Sequence, residues 1–154
     1  MDLEVIHLLD EAISLEYHVS ELYNLFSNSF EPDRYFWWQL AIEEKNHASL
    51  LKSGKELYKF NEIPLEIFPE KINQLKESIN KVSMHIKSFS SEWSRKKAFD
   101  VGIELENSAG ELHYQNFMNS KIDSEIAEIF HKLNRNDYDH ARRITEYKQK
   151  QGIE

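Results

Sequence analysis

Cysteine is absent from the 154-residue chain. Without a thiol there is no disulfide, no iron–sulfur cluster, no thiolate zinc site and no rubredoxin-type centre. Breakers are scarce, with 4 glycines and 3 prolines. Few breakers and long periodic apolar runs predict an all-α chain. No run of about 18 apolar residues occurs, so no membrane span is expected. Positive charge is also short: 19 Lys and Arg stand against 27 Asp and Glu, for a net charge of −8. That balance argues against nucleic acid as a partner and suits the attraction of cations. The opening residues, MDLEVIHLLDE, are acidic and carry no basic segment. A signal peptide is therefore not expected, and a cytoplasmic location is the default.

The length suits one domain over residues 1–154. A first helix is predicted from about Asp2 to Asn28, with Ile6, Leu9, Ile13 and Tyr23 on one stripe. The stretch NSFEPDR breaks it, and Pro32 suits the first turn of the next helix. A second helix is expected from about Asp33 to Phe60. NEIPLEIFPEK, with two prolines, reads as a connector. Ile72, Leu75, Ile79, Val82 and Ile86 then fall at helical spacing, a shorter crossover helix. FSSEWS offers serine caps for a long helix from about Ser91 to Asn119. NSKIDSE breaks that one, and a last helix runs from about Ser124 to Gln151. The expected architecture is a four-helix bundle of two antiparallel hairpins, about 2–60 and 91–151. A long crossover over 61–90 carries the extra helix.

The two hairpins read as diverged copies of one unit. Ile13, Leu15, Glu16, Glu21 and Leu22 align with Ile103, Leu105, Glu106, Glu111 and Leu112 at an offset of 90 residues. Leu40, Glu44, His47 and Ala48 align with Leu133, Asp137, His140 and Ala141 at an offset of 93. The repeated positions include charged residues within apolar stripes. Glu16 shares a helix face with Leu9, Ile13, Ser20 and Tyr23, and Glu106 with Phe99, Ile103, Gly110 and His113. Glu44 and His47, three residues apart, share a face with Leu40, Leu51 and Gly54. Asp137 and His140 repeat that spacing beside Phe130, Leu133 and Ile144.

Folded as a bundle, the chain brings four carboxylates and two imidazoles to one level of its core. Buried ions each cost on the order of several kcal/mol, and like charges add to the cost. Either some of the carboxyls are protonated or cations are present, and two divalent cations would balance four carboxylates. Oxygen donors with one imidazole per metal suit iron, or manganese, better than zinc or copper. The acid-x-x-His spacing alone is weak, because it occurs four times in the chain. Position in the repeat selects two of the four. Glu4/His7 and Glu128/His131 lie outside the register and read as surface pairs; Glu4 is roughly 18 Å along the helix from Glu16.

With Glu16, Glu44-Lys45-Asn46-His47, Glu106 and Asp137-Tyr138-Asp139-His140 in place, the chain resembles the ferritin-like di-iron carboxylate superfamily, and within it the rubrerythrins. The resemblance covers nearly the whole chain. It implies Glu16 and Glu106 as terminal ligands of two iron ions, Glu44 and Asp137 as bridging acids, and His47 and His140 as one ligand each. It implies an oxidoreductase that reacts reduced iron with hydrogen peroxide or O2, in defence against oxidative stress, as a homo-oligomer such as a dimer. Two positions depart from the family. Asp137 is one methylene shorter than the usual glutamate, and Ala109 stands where rubrerythrins carry a further carboxylate. Without cysteine no rubredoxin domain is expected, so electrons would come from an external donor.

A ferroxidase or iron-storage protein would use the same six residues, and a non-catalytic helical interaction module would use none. No methionine falls on the second helix, so no bacterioferritin-type haem is expected, and neither is the short fifth helix of cage-forming ferritins. Among the remaining candidates, Glu43 reads as a solvated neighbour. His113, Tyr23, Trp37 and Trp38 read as core; the lesser readings are a third imidazole ligand for His113, a relay role for Tyr23, and a bundle end or subunit interface for the two tryptophans. His18, His85 and KKAFD read as ordinary surface.

Overall fold

Periodic apolar stripes with few breakers give a chain that is all-helical over its described residues. The computed structural model describes residues 3–58, 72–112 and 125–154, without the side chains of 58, 72, 109–112, 125–127, 129–131 and 133–138. Five α-helices are seen there: α1 (Leu3–Ser29), α2 (Arg34–Tyr58), α3 (Ile72–Ser88), α4 (Arg95–Leu112) and α5 (Glu125–Lys150). The expected connector NEIPLEIFPEK and the NSKIDSE turn up to Ser124 lie outside the described residues. Pro32 sits in a single 3-10 turn, Glu31–Asp33, that feeds α2. The start of α4 differs from expectation. Ser94, not Ser91, is the cap, its Oγ accepting from Lys97 N at 3.1 Å. Ser90 to Trp93 form a tight turn instead.

Specific pairs fix the helix directions. Lys55 near the end of α2 meets Asp10 near the start of α1 at 2.5 Å, so these two run antiparallel. Lys148 at the end of α5 meets Asp100 at the start of α4 at 2.8 Å, so this pair is antiparallel too. Phe36 stacks on Tyr147 and Glu43 bonds Arg143, which sets α5 antiparallel to α2. Helix α2 therefore points the same way as α4, and α3 lies between them in sequence. It packs beside α1, and its Lys81 bonds Glu104 of α4. No helix among the described residues is long and apolar enough to cross a membrane.

The core sits along the inner faces of α1, α2 and α4. Trp37 is fully buried, its ring 4.7 Å from that of Phe99, 5.0 Å from Phe26 and 5.2 Å from Tyr23. Helix α4 comes so close that a Cβ on Gly102 would stand 3.0 Å from the Trp37 ring. Trp38 is not core as expected. It lies about 100° round the helix from Trp37 and is 47% exposed, its ring tilted against that of Tyr35. KKAFD divides: Lys96 and Lys97 face solvent, while Ala98 and Phe99 are buried. His18 and His85 are half-buried rather than surface residues. His18 Nδ1 lies 2.7 Å from the Ser14 carbonyl, and His85 packs edge-on against Trp93. At one end, buried Asp33 takes a two-pronged bond from Arg95, both at 2.7 Å, and a longer one from Tyr147. That staple ties the start of α2 to the start of α4 and the end of α5.

Candidate metal centre

The register that places Glu16 among Leu9, Ile13, Ser20 and Tyr23 turns it inward, because all four are buried with it. The same holds for Glu44 and His47 beside Leu40 and Leu51, for Glu106 beside Phe99, and for His140 beside Ile144. Glu16, Glu44, His47, Glu106 and His140 come from four helices, and none is more than 5% exposed. All five meet at one level. The side chain of Asp137, the sixth candidate, lies outside the described residues, as does His113.

The five side chains fall into two groups that share Glu44. His47 Nδ1 is 3.1 Å from Glu44 Oε2 and 3.5 Å from Glu16 Oε2. His140 Nδ1 is 2.8 Å from Glu44 Oε1 and 3.6 Å from Glu106 Oε2. One carboxylate thus turns one oxygen to each imidazole. The two rings are nearly parallel, with centroids 5.2 Å apart. Tyr23 donates its hydroxyl to Glu106 Oε1 at 2.5 Å. Ser20 Oγ bonds the Ala41 carbonyl at 2.7 Å and links α1 to α2 beside the site.

Electrostatics bind the group together through protons. Burial opposes a charge on His47, but hydrogen bonds to Glu16 and Glu44 overcome it and push the imidazolium up to about 11. Burial likewise opposes a charge on His140, and the Glu44 charge with bonds to Glu106, Glu43 and Glu44 raises it further. Burial pushes the Glu16 carboxyl above the usual range against the pull of His47. Glu44 is buried as deeply and feels Glu106, yet the two imidazoles hold its carboxyl below the usual range.

The donor set fits cations. Donors that share one six-coordinate ion at about 2.1 Å stand about 3 Å apart. Glu44 Oε1 and His140 Nδ1 stand 2.8 Å apart, and neither atom has a well-aligned hydrogen-bond partner among the described residues. Two buried polar atoms left in that state are costly unless something else satisfies both. Glu44, His47 and His140 each offer a donor atom within 4.8 Å of the others, a buried group that can hold a metal ion. The other acid-x-x-His pairs stay outside. His7 is exposed and pairs with Glu11, and Glu4 and Glu128 face solvent; the His131 side chain lies outside the described residues.

Glu43 is not the solvated neighbour that spacing implies. It takes the Nε2 proton of His140 at 2.7 Å and a two-pronged bond from Arg143 at 2.6 and 3.1 Å. Burial works against its charge, but His140 and Arg143 hold its carboxyl at about 2. A carboxylate on the far nitrogen fixes the ring tautomer and leaves Nδ1 for a metal. The available signal was Arg143, a basic residue three after His140 and so on its face of α5. Beside these residues a cleft of about 590 Å³ opens between α2 and α5, with His47, His140, Glu43, Arg143, Lys132 and Asn46 in its wall. No family model, no curated protein and no solved structure matches this chain.

Proposed function

We propose that the chain is a ferritin-like, rubrerythrin-like oxidoreductase that holds two iron ions and reacts them with hydrogen peroxide or O2. The observation that carries this is Glu44, buried between two histidines of antiparallel helices with one oxygen turned to each. Glu16 and His47 would hold one ion, Glu106 and His140 the other, and Glu44 would span both. Asp137, in the register of Glu44, would supply the fourth carboxylate. That set balances two divalent cations, and two Glu with two acid-x-x-His pairs is the donor pattern of di-iron and di-manganese bundles. The helix directions support the same architecture, since α2 and α4 run alike and need a long crossover between them.

When bound, the metal pair supplies the electrons that reduce the oxidant. The chain positions and shields it. Tyr23 pins one oxygen of Glu106, and Glu43 sets the tautomer of His140. Leu9, Leu40, Leu51 and Ile144, all buried, keep bulk water from the donor level. The cleft between α2 and α5 offers small polar molecules a way in. Electrons arrive from a separate donor, as the chain has no cysteine to hold a redox centre of its own.

Anaerobic loading with Fe(II), followed by peroxide with an added reductant, tests the reading. Repeated peroxide turnover at about two irons per chain is expected. Uptake of many irons into a large particle assigns storage instead, and no iron uptake rejects both.

A further inference from the structure

Two cavities of the bundle differ in character. The cleft between α2 and α5 is wide, about 590 Å³, and its wall is polar and charged. A second, a pocket of about 20 Å³, is enclosed by α1, α3 and α4. Among the described residues its wall is Leu15, Val19, Val82 and Leu105, all buried. The half-buried Ser78, Lys81 and Ser108 complete the lining. Two of these polar groups are committed elsewhere. Lys81 bonds the Glu104 carboxylate, and Ser108 donates its hydroxyl to the Glu104 carbonyl at 2.8 Å. The pocket lies at the height of the proposed donors. Leu15 directly precedes Glu16 and Leu105 directly precedes Glu106, each about 1.5 Å away along its helix. Val19, three residues after Glu16, is its neighbour on the face of α1.

Size and polarity select the guest. A water-sized sphere needs about 10–15 Å³ on this measure, so the pocket takes one molecule of two heavy atoms. Hydrogen peroxide and O2 both have that size. Peroxide carries two hydroxyls, and burying them without partners is costly. O2 is apolar and makes no such demand. We propose that this pocket is a docking site for an apolar diatomic gas, O2, at the level of the metal centre. The assignment of O2 rests on the two-metal reading above, whereas the gas site stands on the pocket alone. The crossover helix α3 then does more than span the bundle. Its Val82 closes the pocket, and its Lys81 ties that wall to α4.

Xenon is the probe, because dry apolar cavities take it up. Metal-free protein with labelled methyl groups is titrated with xenon under pressure and read by NMR. Saturable shifts confined to the methyls of Leu15, Val19, Val82 and Leu105 are expected. Val82→Phe fills the pocket and should abolish them. Val19→Phe fills it from α1 and gives the same reading should the first variant fail to fold. In iron-loaded protein, either variant should lower the ratio of the O2 rate to the peroxide rate about 10-fold or more. No saturable xenon shift in the wild type, shifts that survive both substitutions, or an unchanged ratio overturns the inference while the two-metal reading stands. A chain that takes up no iron overturns the O2 assignment together with that reading.

Discussion

Replacing Glu44 by Gln should cost the metal-free protein stability and abolish its stabilisation by metal. Glu44 is 2% exposed and sits 3.1 Å from His47 and 2.8 Å from His140. Both imidazoles are held protonated, so a neutral amide leaves two buried cations short of a partner. Removing one member of a buried charge group costs about 3–5 kcal/mol. For a chain of this size each kcal/mol moves Tm by about 2–4 °C, so a fall of about 6–20 °C is expected. The second effect separates a metal centre from a structural ion cluster. A cation at 100 times its Kd stabilises by about 2.7 kcal/mol per site, or about 5 kcal/mol for two sites. Scanning calorimetry with anaerobic Mn(II) should then raise Tm by about 10–20 °C in the wild type and hardly at all in Glu44→Gln. An equal rise in both proteins, or none in the wild type, would refute the reasoning.

Metal uptake should release protons, about two per chain at pH 7, because His47 and His140 both titrate above that pH and must lose a proton to bind. The sign follows: affinity rises with pH, and proton-neutral uptake in a weakly buffered titration would contradict it. Tyr23→Phe removes the 2.5 Å bond to Glu106 and should cost about 1.5–3 kcal/mol in denaturant melts. An unchanged midpoint would show that this bond contributes nothing. Arg95→Met strips the buried Asp33 of its two-pronged partner and should destabilise by about 3–5 kcal/mol without altering metal content. Loss of metal at a wild-type midpoint would reverse that assignment.

Helical periodicity made most of the fold legible, since stripes such as Leu9, Ile13 and Tyr23 can be buried in only one way. The inward turn of Glu16, Glu44, His47, Glu106 and His140 was legible for the same reason, reinforced by the repeat. Contacts between distant helices were not. Glu43 lies about 100° round α2 from Glu44, a direction that looks solvent-facing until α5 is laid beside it with Arg143. The Asp33 staple joins residues 62 positions apart and leaves no local pattern. Trp38 shows the converse. Its side chain is apolar, but its angle on α2 turns it to the surface beside Tyr35. FSSEWS holds several serines, and no local pattern shows that only Ser94 has its hydroxyl on the first turn of α4.

On the proposed function, four helices of this chain build one centre for two metal ions. Elemental analysis of protein produced with iron and purified gently, read together with its optical spectrum after oxidation, tests that most directly. About two irons per chain with a near-ultraviolet charge-transfer band are predicted, and both should vanish in a Glu44→Ala/His47→Ala variant. A wild-type chain without metal, or a variant that retains its iron, would contradict the account.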